Sequence, residues 1–256
     1  MPLEIDLSGR IALVTGASGE LGRVIARTLA QCGAGVAVHY FGNREKAEST
    51  LETVRAAGVR GMCVQADVTD EKSVRALRDA IVPKLGEVDI LVPNAVIQYP
   101  WKTVLEQAVA DYEGQFRSCV LQTVLLAKAF VPAMIRKRYG RIVITNTECA
   151  MQCWPNQSAY ASGKRGLDGI ARVLAREVGP HEITVNQVAP GWMISDKQRG
   201  PDGVKPQPHY EDKVPMGHRG EDQEIANAVA FLASDLAKFI TGVYLPVCGG
   251  NVMPCI

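Results

Sequence analysis

Tyr160 and Lys164 lie four residues apart in Tyr160-Ala161-Ser162-Gly163-Lys164. On a helix that spacing puts a phenol and an amine on one face, a turn apart. A phenol ionises near 10 in water, too high to exchange protons readily at neutral pH. An ammonium beside it favours the phenolate and lowers that value. Such a pair can give a proton to a carbonyl oxygen as hydride arrives, or take one from an alcohol. Tyrosine and lysine four apart are also an ordinary surface pair. The reading therefore depends on the rest of the chain.

A second stretch with chemistry in it is Thr15-Gly16-Ala17-Ser18-Gly19-Glu20-Leu21-Gly22, set between an apolar run and a helical pattern. A glycine-rich turn there lets the backbone approach a pyrophosphate, whose charge the helix N-terminus favours. Gly16, Ser18, Glu20 and Leu21 are its candidate nucleotide contacts. Glu20 sets a carboxylate beside the phosphates and would repel them unless it turns outward.

The elements that must position these residues follow from hydrophobic pattern. Ile11–Val14 reads as a fully buried strand. The pattern then predicts helix from about Leu21 to Gln31, ended by Gly33, and strand Val36–His39. Helix Glu45–Ala57, strand Gly61–Gln65 and a helix from the N-cap Asp70 to about Val82, before Pro83, come next. Val88–Val92 is strand-like again. A long helix is expected from about Ala108 to Arg138, adjusted at Pro132, then strand Arg141–Thr145. Helix Tyr160–Val178, strand Ile183–Val188, helix Asp222–Ala233 and strand Gly242–Val247 complete the series. Pro246 removes one donor from that last strand, which assigns it to a sheet edge. The alternation is that of an α/β fold, a doubly wound parallel sheet of about seven strands (Rossmann-type) in a single domain, residues 1–256. Trp192 to Arg219 breaks the grammar, with four prolines and few apolar residues. A loop that long is a lid or binding loop, or disordered.

Bulk properties restrict the function classes. The 256 residues are 47% hydrophobic, with 28 basic and 27 acidic side chains and a formal charge of +1. That balance gives no electrostatic reason to expect nucleic acid or a membrane as partner, and favours a small molecule. No basic patch leads into an apolar run at Met1–Asp6, and no uninterrupted apolar stretch approaches the roughly 18–20 residues of a membrane helix. The seven cysteines are scattered, and Cys149 and Cys153 lack a second pair or nearby histidine, so no metal site is expected. Reduced thiols in a cytoplasmic protein are the expectation.

Taken in order, these segments resemble the short-chain dehydrogenase/reductase family, especially its 3-oxoacyl reductase-like and carbonyl reductase members. Tyr160 and Lys164 match its YxxxK, while Gly16 and Gly22 match two glycines of its TGxxxGxG turn, with Glu20 in place of the middle one. The resemblance implies NADP or NAD as cofactor, and interconversion of a carbonyl and an alcohol. It makes Tyr160 the acid/base, Lys164 its partner and the holder of the nicotinamide ribose hydroxyls, and Thr147 the equivalent of the family's substrate-binding serine. At the position of the ribose-binding acid of NAD users stands Tyr40, which makes NADP the preferred choice, with Arg44 or Arg23 to reach its phosphate. Asp67 and Val68 fall at the adenine, Asn94 and Ala95 in the family's NNAG segment, and Pro190 and Gly191 at the nicotinamide. Val96 and Cys119 depart from the family's glycine and relay asparagine. The resemblance implies strand order 3-2-1-4-5-6-7 and lays the 192–219 loop over the substrate, with Trp101, Met151, Trp154, Trp192 and Met193 as apolar lining. It assigns His209 and His218 no role. It also implies a homo-oligomer, dimer or tetramer, paired through a small-residue stripe of Ala159, Gly163 and Gly166. Two other readings remain: a cofactor-free halohydrin dehalogenase-like enzyme, and a non-catalytic nucleotide-binding protein of the same fold.

Overall fold

The computed structural model describes residues 4–201 and 203–254; Cys255, Met1–Leu3 and Asp202 of the expected substrate loop lie outside them. The strands are β1 (Ile11–Val14), β2 (Gly35–Tyr40), β3 (Gly61–Gln65), β4 (Ile90–Val92), β5 (Gly140–Thr145) and β6 (Ile183–Pro190). The major helices are α1 (Glu20–Gln31), α2 (Arg44–Ala56), α3 (Glu71–Leu85), α4 (Val109–Phe116), α5 (Gln122–Lys137), the short α6 (Cys149–Gln152) and α7 (Ser158–Val178). A two-residue hairpin of β7 (Arg199–Gly200) and β8 (Gly203–Val204) follows, then the short α8 (Pro208–Glu211), α9 (Asp222–Ala233) and β9 (Tyr244–Val247).

The seven long strands pair in parallel in the order β3-β2-β1-β4-β5-β6-β9, the expected order once the small hairpin is set aside. Every residue of β1, β2, β4 and β5 is buried, because helices cover both faces of the sheet. One apolar layer packs α1, α2 and α9 on one face, and the other packs α3, α5 and α7 on the opposite face. Pro246 lies in β9 at the sheet edge, where its missing N–H costs no ladder bond. Strand order reverses beside β1, so the carboxyl ends of β1 and β4 open onto the crevice where such sheets bind ligands.

Three expectations are corrected. Helix α3 continues through Pro83 to Leu85, because Leu77, Ile81 and Leu85 stay on the buried face; Asp70 caps it by accepting from Ser73 N–H at 2.7 Å. The long helix is interrupted at Arg117–Leu121, a π turn, and passes Pro132 intact with Phe130, Val131 and Met134 buried around it. Val109–Lys137 is long and apolar enough to cross a membrane by length and composition, but 56% of its most apolar window is buried within the fold. The small-residue stripe of α7 is covered within the chain: a Cβ on Gly163 would lie 2.8 Å from Gln115, and one on Gly166 3.1 Å from Val120.

Candidate active site

The turn after β1 is fixed by two glycines. Gly16 has φ +66, and a Cβ on it would lie 3.0 Å from Ala95 Cα. A Cβ on Gly22 would overlap the carbonyl of Gly16. Gly19 caps α1 without a side-chain bond, so the first N–H groups of the helix face the crevice, a cradle for an anion. His39 ties this turn to its neighbours: Gly16 N–H donates to Nδ1 at 3.0 Å, and Nε2 lies 3.1 Å from Ala66 O. With Nδ1 accepting, the ring is neutral and Nε2 carries the proton. Burial pushes its pKa down to about 4, although its bond to Ala66 and the charge of Asp67 oppose this. Thr15 Oγ accepts from Asn94 N–H at 2.9 Å and Ala95 N–H at 3.0 Å and donates to Gln122 Oε1 at 3.0 Å, locking the ends of β1 and β4 together.

A crevice of about 770 Å³ runs from this turn to the end of β5. Gly16, Ser18, Glu20, Leu21, Asp67, Val68, Asn94, Ala95, Thr147, Tyr160, Lys164, Pro190 and Gly191 all line it. The site expectation fails at Tyr40, which is 7% exposed in the core because β2 extends through it; Phe41, Gly42 and Asn43 form the wall instead. Neither arginine expected near a 2′-phosphate is free: Arg44 pairs with Glu48 at 2.7 Å, and Arg23 with Asp196 and Glu20. The Glu20 carboxylate leans toward Arg23, 3.4 Å away, and the crevice stays open. Asp222, which local pattern does not single out, lines the same end; burial, with the charge of Glu20, raises its pKa to about 6.

At the other end, Tyr160, Thr147 and Gln98 line the crevice together. Asn146 Oδ1 accepts from Thr147 N–H at 2.9 Å, and its amide donates to Lys164 O at 3.1 Å and Gln187 Oε1 at 2.7 Å, so β5, β6 and α7 meet on one side chain. Lys164 Nζ, 3% exposed, donates to Thr145 O at 2.7 Å and sits 5.9 Å from the Tyr160 ring centroid. The expected lowering of the phenol pKa by this ammonium is not what the geometry gives. Burial raises Tyr160 and lowers Lys164, because desolvation disfavours both charged forms. The π turn presents Ser118 to the crevice and buries Cys119 beneath it. Of the five residues expected as apolar lining, Met193 faces the crevice; Val96 and Ile97 add to it, whereas Trp101 is 53% exposed.

The 192–219 segment is organised around Arg219. Its guanidinium donates to Glu211 Oε1 at 3.0 Å, Gln198 Oε1 at 3.1 Å and Lys205 O at 2.9 Å, and stacks on Trp192. His209 packs on Trp192, and His218 contacts the carbonyl of Arg219.

The donor set fits a dinucleotide: uncapped helix N–H groups and a glycine cradle at one end, a phenol, hydroxyl and ammonium at the other. Residues 16–251 match the family model described as Enoyl-(Acyl carrier protein) reductase. The chain is 39% identical over 256 residues to the 3-oxoacyl-[acyl-carrier-protein] reductase FabG of Escherichia coli (strain K12), covering 97% of this chain and 100% of that protein. To the FabG of Staphylococcus aureus (strain Mu50) it is 38% identical over 253 residues, 94% and 98% of the two chains. An NAD+-bound xylitol dehydrogenase superposes with a TM-score of 0.88 at 31% identity, over 95% of this chain and 99% of that one. A 7α-hydroxysteroid dehydrogenase complexed with NADH and 7-oxo glycochenodeoxycholic acid gives 0.88 at 32% identity, over 98% and 97%. The chain belongs to the short-chain dehydrogenase/reductase family and is an NAD(P)-dependent oxidoreductase.

Proposed function

We propose that this enzyme reduces a carbonyl with NADPH, using Tyr160 as proton donor, and that its substrate is a 3-oxoacyl thioester. The observation that carries the reading is that Thr147, Tyr160 and Lys164 line the inner end of one crevice, with Lys164 buried beside the Tyr160 ring. Gly16, Ser18, Glu20 and Leu21 would hold the pyrophosphate, Asp67 and Val68 the adenine, and Asn94, Ala95, Pro190 and Gly191 the nicotinamide side. Bound there, the nicotinamide supplies hydride. Thr147 donates a hydrogen bond to the substrate oxygen, and Tyr160 delivers its proton to the same atom. Because burial raises its pKa, Tyr160 is the neutral phenol at physiological pH, the form needed for reduction. Alcohol oxidation needs the phenolate, so its rate should climb with pH well past neutrality. Lys164, fixed by Thr145 O, has two remaining N–H donors for the ribose hydroxyls.

The preference for NADPH is supported by Phe41, Gly42 and Asn43, none of them an acid, at the end of β2. Lys46 and Ser49 line an adjoining cavity of about 280 Å³ that shares Ser18, Glu20 and Asp222 with the main crevice. The thioester substrate is supported by the near full-length similarity to the two FabG proteins. A single domain over residues 1–256, with 192–219 as its substrate loop, is part of the same reading. So is a homo-oligomer, supported by exposed Phe116 and Val173 on α4 and α7 and by fully exposed Phe239. Free cysteines among the described residues support a cytoplasmic setting. The test is a panel of acetoacetyl-CoA, xylulose, a cyclic ketone and a steroid ketone with NADPH and NADH, read as absorbance loss. Faster turnover of acetoacetyl-CoA with NADPH is expected; activity confined to polyols or steroids with NADH would overturn the substrate and cofactor assignments.

A further inference from the structure

Glu148 follows the candidate catalytic Thr147, is 2% exposed and contributes nothing to the proton transfer above. A carboxylate so buried needs compensating donors, and here they come from remote parts of the chain. Its backbone N–H donates to Pro190 O at 2.9 Å. Its Oε1 accepts from the Tyr210 hydroxyl at 2.7 Å, and its Oε2 accepts from Asn251 Nδ2 at 3.1 Å. The Tyr210 hydroxyl in turn accepts from Trp192 N–H at 2.8 Å. It presses on the nicotinamide-side turn as well, since a Cβ on Gly191 would lie 2.6 Å from the Tyr210 oxygen. Trp154 and Trp192 pack edgewise on the Tyr210 ring.

We infer that Glu148 is a positioning residue that fastens the 192–219 substrate loop, through Tyr210, to the strand end carrying Thr147 and to the Pro190–Gly191 turn. Four segments meet at this residue: the end of β5, which carries it, the end of β6 through its backbone N–H, and α8 of the loop and the tail after β9 through its carboxylate. The groups holding the carboxylate are a phenol and a primary amide, so the charge is shared between hydrogen bonds that are directional and close-range. The loop's other fastenings include the Arg219 cluster, Arg199 with Glu221 at 3.0 Å, Asp196 with Arg23, and Met216 N–H to Gly249 O; none of them is made to Thr147 or its chain neighbours. Glu148 is thus the direct link between loop closure and the geometry of the substrate-binding hydroxyl.

The proposal rests on the reductase reading only for its kinetic consequence, and the test separates the two. Hydrogen exchange of the full-length protein is compared among parent, Glu148→Gln, Tyr210→Phe and the double variant. Glu148→Gln keeps the volume but cannot accept from both Tyr210 and Asn251; Tyr210→Phe removes the same bond from the loop side and keeps the ring packing. Each single variant should speed exchange about tenfold in the peptides covering Trp192 and Pro208–Glu211, with β1 to β4 unchanged. In the Pro208–Glu211 peptide the double variant should be no faster than Tyr210→Phe, since the bond that Glu148 gives this segment is already lost there. With acetoacetyl-CoA and NADPH, KM should rise about tenfold and kcat change less than about threefold, because loop ordering contributes to binding. Accelerated exchange without any turnover supports the fastening and counts against the substrate class alone. Parent-like exchange in Tyr210→Phe, or additive effects in the double variant, would overturn it.

Discussion

The two ends of the crevice are held in place by different physics. At the inner end, Thr147 and Lys164 are set beside Tyr160 by Asn146, Gln187 and Thr145 through uncharged acceptors and backbone, with little water access. At the outer end, Glu20, Arg23, Asp196 and Asp222 form a partly solvated charge cluster around the phosphate turn. Dry hydrogen-bond networks fix geometry and resist pH and salt, whereas solvated charges tune affinity and respond to both. The geometry of the inner end, and with it carbonyl reduction near neutral pH, should therefore be insensitive to salt that strongly alters the grip on the cofactor.

The largest effect that would break this contrast is at the inner end. Tyr160→Phe should lower carbonyl reduction by about three orders of magnitude, within the usual scale of a lost acid/base group. NADPH affinity, measured by nicotinamide fluorescence, should stay within about twofold. Comparable turnover in that variant would remove Tyr160 from the chemistry. Next in size is Gly22→Ala, where the added methyl meets the Gly16 carbonyl. The turn must open to accept it, at a cost of about 1–3 kcal/mol. NADPH binding should weaken by more than tenfold while acetoacetyl-CoA reduction at saturating cofactor recovers much of the parent kcat.

His39 connects the two regimes, being a buried titratable group that holds the charged end by neutral bonds. Its folded pKa of about 4 lies below the ordinary 6.5, so the unfolded chain binds the proton first. The stability it supports is complete above about 6.5 and is lost progressively as pH falls toward 4, on the order of 3 kcal/mol at the lower limit. Asp222 works in the opposite direction over the same range, since its raised pKa lets the folded state take up a proton as pH drops. The two are separated by comparing the parent with His39→Gln in urea melts at pH 7 and pH 4.5. The gap between the proteins should shrink by most of that amount at the lower pH. A constant gap would mean that the imidazole is not neutral in the fold.

Sequence pattern carries the sheet well because buried parallel strands are unbroken apolar runs; β3 and α9 fall where periodicity puts them. The i, i+4 pair of Tyr160 and Lys164 and the glycine turn are equally local and equally legible. What pattern misses is set by contacts distant in the chain. The π turn has no proline or glycine to announce it and follows from the fit of Gln122 to Ala95 O and Thr15. Counting along the chain puts Tyr40 at the ribose, but β2 runs one residue further and turns it into the core. Asp222 and Glu148 acquire meaning only from partners far away in sequence. The phenol of Tyr160 departs from expectation for another reason: spacing tells which groups are close, and burial decides what their charges cost.

The smallest predicted effects lie at the outer end and bear most directly on the contrast. Glu20 occupies the middle glycine position of the turn, and its carboxylate is drawn aside by Arg23 without leaving the crevice wall. A partly solvated charge at that distance should weaken NADPH binding by a few-fold, about 3- to 5-fold in low salt. Glu20→Gly should recover that factor, and 0.5 M salt, roughly a 4 Å screening length, should erase most of the difference. Asp222 adds a pH dependence of known sign. Its pKa near 6 means that the charge facing the phosphates is present at pH 8 and lost by pH 5, so NADPH should bind more tightly as pH falls through that interval. Asp222→Asn should flatten this trend and bind at pH 8 as the parent does at pH 5. If the variant keeps the full pH dependence, the outer cluster is not what tunes affinity, and the two ends of the crevice are governed alike.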